Sequence, residues 1–211
     1  GACSRKIASR DGAPSTWRAG DIRGFLVNGP RSPAFLSAPI FFVDHRTSKP
    51  APISNEPAIG APVAWCGVAG SYAEQIVAPA DKLVPVPAGV SLEQAAAAML
   101  QGLTAHYLVA STFALGAGHT CLAHAAAGGV GLLLGQLARR AGATAIGTVS
   151  TDAKAEAARA AGYAHVIRYD RDDFVAATRA IVPAGVDVVY DAVGATTFDR
   201  SLDCLRPRGL M

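Results

Sequence analysis

From residue 119 onward, short apolar runs alternate with longer stretches in which apolar residues recur every three or four positions. The short runs at 119–125, 144–150, 164–169 and 185–194 read as buried strands. The stretches between and after them, 128–142, 152–162, 172–182 and 195–205, read as helices. A final "GLM" at 209–211 reads as the start of a fifth strand. Strands that alternate with helices of this length build βαβ units, and these stack into a parallel sheet with helices on both faces. Gly162 is expected at the C-terminal cap of the second of these helices.

The preceding segment is less regular. Residues 91–112 are alanine-rich and predict helix, with Ser91 as N-cap and Gly102 dividing the stretch into two helices. Residues 62–67 and 70–79 read as two short strands around a glycine turn, the second marked by alternation from Tyr72 to Val77. Pro85 and Pro87 hold residues 81–90 extended. Residues 1–60 are crowded with Pro, Ser, Arg and Gly, and irregular structure is expected there. Only Ala34 to His45 is strongly apolar, and its prolines confine it to short or edge strands.

Composition narrows the class. Of 211 residues 51% are hydrophobic and 17% charged, which fits a folded globular chain. A net charge of +3 with scattered basic residues gives no stripe for nucleic acid. No apolar run is long enough for a membrane span. Cys3, Cys66, Cys121 and Cys204 form no C-x-x-C pair and have no His at metal-ligand spacing, so reduced thiols in a cytoplasmic protein are expected and no metal site. Cys66 and Cys121 read as small core residues. The first twenty residues are rich in Arg and Ser, yet Asp11, Gly12 and Pro14 interrupt any amphipathic transit helix.

The chemistry concentrates at the first strand-to-helix turn, Ala125-Ala126-Ala127-Gly128-Gly129-Val130-Gly131. A dinucleotide fold uses glycines there to turn the chain, to admit the pyrophosphate and to pack helix on strand. The strict G-x-G-x-x-G spacing would need glycine at 126, where Ala126 stands. The turn therefore fits either a pyrophosphate cradle or a packing turn without ligand. An NAD site places an acid about 20 residues past the glycines, on the ribose hydroxyls. This chain has Thr148, Val149, Ser150 and Thr151 there, then Asp152 in the helix start and Lys154 one turn along. Hydroxyls and a lysine suit a 2′-phosphate better than a bare ribose, so NADPH is the expected cofactor. Arg168 and Tyr169 at the third strand end are placed to close over the same phosphate.

The run from His124 through Ile167, with 70–109 and 186–211, resembles the zinc-independent quinone oxidoreductases of the medium-chain dehydrogenase/reductase superfamily. The match extends from Ala64 to Met211. It implies a Rossmann-type sheet at 91–211, truncated at its fifth strand, preceded at 1–90 by a degenerate remnant of a GroES-like β domain. It implies NADPH, a quinone or activated-alkene substrate, hydride transfer without metal, and a cytosolic homodimer. Ala126, Ala127, Gly128, Gly129, Val130 and Gly131 match the family's pyrophosphate loop. Ser150, Lys154 and Tyr169 match its 2′-phosphate positions, and Thr104 and Tyr107 a segment at the nicotinamide end.

Departures accompany the resemblance. Asp44, Arg46 and Thr47 stand where a family segment has polar residues, but Phe41 replaces an expected Asn. Part of the barrel and the far end of the family's sheet have no counterpart here. A catalytically impaired nucleotide-binding homologue is therefore the alternative to an active reductase. Tyr107 is the candidate proton donor to a quinone oxygen, or else a packed helix aromatic. Tyr72 is expected to pack across the cleft as a strand residue. His106 and His124 are candidates by position alone, a buried hydrogen-bonded role being equally open to them.

Overall fold

The computed structural model describes residues 57–211, with a backbone pairing of β1 (Ile7–Ala8) and β2 (Pro14–Ser15) ahead of them. The expectations for the apolar run at 34–45 and for Asp44, Arg46 and Thr47 lie outside the described residues. The chain divides into two compact units, Gly1–Leu100 and Gln101–Met211. That boundary falls inside the first helix.

In the first unit, β3 (Val63–Ala64) pairs antiparallel with β4 (Val84–Pro85). The strand expected over Tyr72 to Val77 does not form. Ser71 is drawn back into a turn instead: its hydroxyl donates to the Val68 carbonyl at 2.6 Å and accepts from Trp65 Nε1 at 2.9 Å. Tyr72 is left 88% exposed rather than packed. A short alternating run without a ladder partner has nothing to hold it extended. Val63, Ala78 and Leu83 form a small core beneath this turn.

Helix α1 (Leu92–Tyr107) starts with a reciprocal capping box. Ser91 Oγ accepts from the Gln94 amide at 3.2 Å, and Gln94 Oε1 accepts from the Ser91 amide at 2.9 Å. The helix runs unbroken through Gly102, against expectation. One interior glycine costs only about 1 kcal/mol relative to alanine, less than its alanine-rich neighbours supply. The helix loosens later, into a π-helical turn over Leu108–Thr112.

The second unit is a Rossmann-type α/β fold. Five parallel strands stand in the order β7 (His165–Arg168), β6 (Thr144–Val149), β5 (Thr120–Ala123), β8 (Val186–Tyr190) and β9 (Leu205–Leu210). Helices α2 (Gly129–Arg140), α3 (Asp152–Ala161), α4 (Phe174–Ile181) and α5 (Phe198–Leu202) connect them. One apolar layer joins Cys121, Ala123, Ala145 and Val149 to Leu134, Ala138, Ala155 and Ala158 of α2 and α3. The other joins Leu122, Ile146, Ile167 and Val189 to Phe174 of α4 and to Cys204. Gly162 caps α3 in the left-handed conformation at φ 110°, as its position suggested.

The fifth strand is longer than "GLM" implied, and the helix before it is shorter, five residues rather than the expected run over 195–205. Arg206 Nε donates to Asp187 Oδ1 at 2.7 Å, while Asp187 Oδ2 accepts from the Thr120 amide at 2.7 Å. This carboxylate therefore ties β5, β8 and β9 together. Pro207 is tolerated because β9 is an edge strand, with an irregular register against β8.

Candidate cofactor-binding site

Strand order reverses at β5: the chain moves outward to β6 and β7, then returns to the other side of β5 as β8. Ligands of open α/β sheets bind beyond the strand C-termini at such a switch point. The glycine turn occupies that place. The Ala126 amide donates to the Thr148 carbonyl of β6 at 3.1 Å, and the His124 amide to the Tyr190 carbonyl of β8 at 3.0 Å. The turn is thus pinned to both neighbouring strands.

Each glycine has its own reason. Gly128 precedes α2 in extended conformation and makes no side-chain cap hydrogen bond to the first amides of the helix. Those amides and the helix dipole favour an anion there. A Cβ on Gly131 would lie 2.4 Å from the Ala125 carbonyl oxygen, so only glycine permits this close approach of helix to turn. The left-handed residue is Ala125, at φ 53°, while Ala126 is fully buried. Alanine at 126 is accommodated because the turn is made one position earlier.

Gln101 was not singled out by sequence reasoning. Its Cγ would lie 3.0 Å from a Cβ on Gly129, and its buried Oε1 has no hydrogen-bond partner among the described residues. A buried acceptor without a partner beside a glycine turn is consistent with a site that a polar ligand completes. The segment "QGLTAHY" was its signal, but a glutamine in an alanine-rich helix looks like an ordinary surface residue. Thr104 is half-buried three residues further along α1. Tyr107, at the helix end, is half-exposed rather than packed in a core.

The corner after β6 gathers three of the expected residues. Lys154 Nζ donates to Ser150 Oγ at 3.0 Å, and Thr151 caps α3 by accepting from the Lys154 amide at 3.2 Å. The Tyr169 amide donates to the Val149 carbonyl at 3.2 Å, which sets Tyr169 beside the same strand end with its ring half-exposed. Arg168 does not join them. Its guanidinium grips Asp170 through Nε at 2.8 Å and Nη2 at 2.7 Å, and Asp152 through Nη1. Sequence position alone could not show that its donors were already committed.

His124 is buried. Its Nδ1 and Nε2 lie 2.9 Å from Thr148 Oγ1 and Ser201 Oγ, respectively. Ser201 in turn donates to Asp191 Oδ2 at 3.3 Å, and a carboxylate only accepts. His124 Nε2 therefore donates to Ser201, and Nδ1 accepts from Thr148. Burial lowers its pKa, with the Asp191 carboxylate opposing. This is the hydrogen-bonded structural role rather than a reactive one. Burial also pushes the Cys121 thiol up to about 12, which makes it a core residue, whereas Cys66 is only half-buried. No group of three or more His, Cys, Asp or Glu side chains among the described residues is placed to hold a metal ion. No helix among them is long and apolar enough to cross a membrane.

The family model for zinc-binding dehydrogenases matches residues 129–211, from α2 to β9. The 2-haloacrylate reductase of a Burkholderia species is 48% identical over 144 residues, 67% of this chain and 43% of that protein. Quinone oxidoreductase 1 of Escherichia coli K12 is 48% identical over 143 residues, 67% of this chain and 44% of that one. The matched part of this chain belongs to the quinone oxidoreductase family. Its fold agrees with a solved quinone oxidoreductase from Pseudomonas syringae, with a TM-score of 0.69 at 43% identity, covering 72% of this chain and 48% of that one. It also agrees with the Escherichia coli quinone oxidoreductase complexed with NADPH, with a TM-score of 0.61 at 50% identity over 63% and 41% of the two chains. The chain thus spans less than half the length of these family members.

Proposed function

We propose that this chain carries the nucleotide-binding part of an NADPH-dependent oxidoreductase that reduces a quinone or an activated alkene without a metal. The observation that carries the reading is the corner after β6, where the Lys154 ammonium rests on Ser150 and the only nearby acid in the helix start, Asp152, is paired with Arg168. A 2′-phosphate finds a cation and a hydroxyl there, and a bare ribose finds no free carboxylate. The uncapped start of α2 and the unpartnered Gln101 oxygen support the same reading. So do the NADPH complex of a relative and the reductase names of others.

When bound, NADPH supplies a hydride for an electron-poor acceptor. The protein's part is to bind and orient. Amides at Gly129, Val130 and Gly131 hold the pyrophosphate beyond the turn formed by Ala126, Ala127 and Gly128. Ser150, Lys154 and Tyr169 hold the 2′-phosphate. Thr104 lies toward the nicotinamide end, and Tyr107 is the proton donor to the reduced acceptor. Residues 91–211 are the nucleotide-binding domain in this proposal, and 1–90 belong to the catalytic side.

Consumption of NADPH with a simple benzoquinone tests the activity, and Lys154→Ala tests the site. The variant is expected to weaken NADPH about tenfold, the order of one charge-assisted contact, and to leave NADH within about twofold. Equal loss for both cofactors contradicts the 2′-phosphate role. NADPH binding without turnover would favour the impaired homologue over the active reductase.

A further inference from the structure

The corner after β6 holds a second charged layer that the NADPH reading does not use. Asp152 opens α3 two residues after Ser150, close to where an NAD site places its ribose-binding acid. It is not available for that role. Its Oδ1 accepts from Arg168 Nη1, and its Oδ2 from Arg171 Nη2 at 3.2 Å. Arg168 is anchored on its far side by the two-point grip of Asp170. The arginine side chain is only 13% exposed, whereas the Asp152 side chain is 75% exposed. The buried partner is thus the arginine, and the carboxylate is the exposed one that it holds.

We propose that Arg168 determines cofactor preference without touching the cofactor, by holding Asp152 away from the ribose 2′ position. The proposal rests on the NADPH reading of the corner and adds a positioning residue to it. With Arg168 in place, two carboxylates face two arginines, and Lys154 meets the 2′-phosphate without a competing negative charge. With Arg168 gone, Asp152 keeps only the exposed Arg171 as a partner at the helix start. It then repels a 2′-phosphate and can accept from the two hydroxyls of an unphosphorylated ribose. Because the Arg168 side chain is only 13% exposed, a urea midpoint for each variant separates any loss of folding from a change in selectivity.

Arg168→Met keeps an apolar stem of similar length and removes only the charge and donors. Wild type, Arg168→Met, Asp152→Asn and the double variant are each titrated calorimetrically with NADPH and with NADH. Arg168→Met is expected to weaken NADPH by about fivefold to tenfold, as an unmasked surface charge does, while NADH binding holds or tightens. Adding Asp152→Asn is expected to return most of the lost NADPH affinity, because the Asp152 charge beside Lys154 is then absent while that of Asp170 remains. A structural effect of Arg168 would weaken both cofactors together and would not be rescued by Asp152→Asn. Either result overturns the proposal. If Arg168→Met leaves the preference intact while Lys154→Ala abolishes it, the proposal falls and the NADPH reading stands. A wild type that binds both cofactors equally overturns both.

Discussion

At the scale of single residues, the glycine turn separates what a sequence displays from what it hides. Gly128, Gly129 and Gly131 announce a close approach at the turn, and at Gly131 the approach is to backbone itself. Their individual reasons depend on neighbours: Gly131 faces the Ala125 carbonyl, and Gly147 of β6 leaves room for the Tyr163 ring, which a Cβ would approach to 2.9 Å. Tyr163 spans this space and donates to the Gly131 carbonyl at 2.8 Å, so a buried hydroxyl from 32 positions along the chain helps fix the turn. Gly131→Ala is expected to destabilise the chain by about 1–3 kcal/mol, because backbone must move to admit the methyl group. Urea unfolding checks it, and an unchanged midpoint would show that the approach is softer than the geometry implies. The left-handed Ala125 was not legible, because alanine carries no mark of that conformation. Lys154 and Ser150 were legible as neighbours at helical spacing. The commitment of Arg168 was not, since it depends on how β7 sits beside α3.

Among the elements, those defined by local signals were readable and those defined by distant partners were not. Ser91, Thr151 and Asp173 mark helix starts through bonds to amides two or three residues away. The strand expected at Tyr72 to Val77 and the true extent of β9 depend on pairing with remote segments, which alternation alone cannot specify. His124 joins three elements at once through Thr148 of β6, Ser201 of α5 and the end of β5. Because burial lowers its folded pKa below the unfolded 6.5, the unfolded chain takes up the proton first as pH falls. Its contribution is complete above about pH 6.5 and is lost on acidification below it. The urea midpoint is expected to fall between pH 7 and pH 5.5, and to fall less in His124→Gln. An identical pH dependence in the two proteins would remove His124 as the cause.

On the scale of the whole molecule, the repeated strand–helix pattern made the parallel sheet and its helical layers visible before any contact was known. The order β7-β6-β5-β8-β9 puts the glycine turn at the reversal point, with the Ser150–Lys154 corner at the next strand end. This arrangement, rather than any one residue, supports the proposed nucleotide site where the sequence presents a glycine cluster and a lysine. The chain spans less than half the length of its relatives, and Tyr107, the proposed proton donor, stands half-exposed. Cofactor binding is therefore a more direct test than turnover. Calorimetric titration of the purified chain with NADPH and NADH decides the central claim. The account predicts saturable binding of NADPH at least about tenfold tighter than NADH, the order expected of one additional charge-assisted contact. Equal affinity for the two, or tighter binding of NADH, would contradict it.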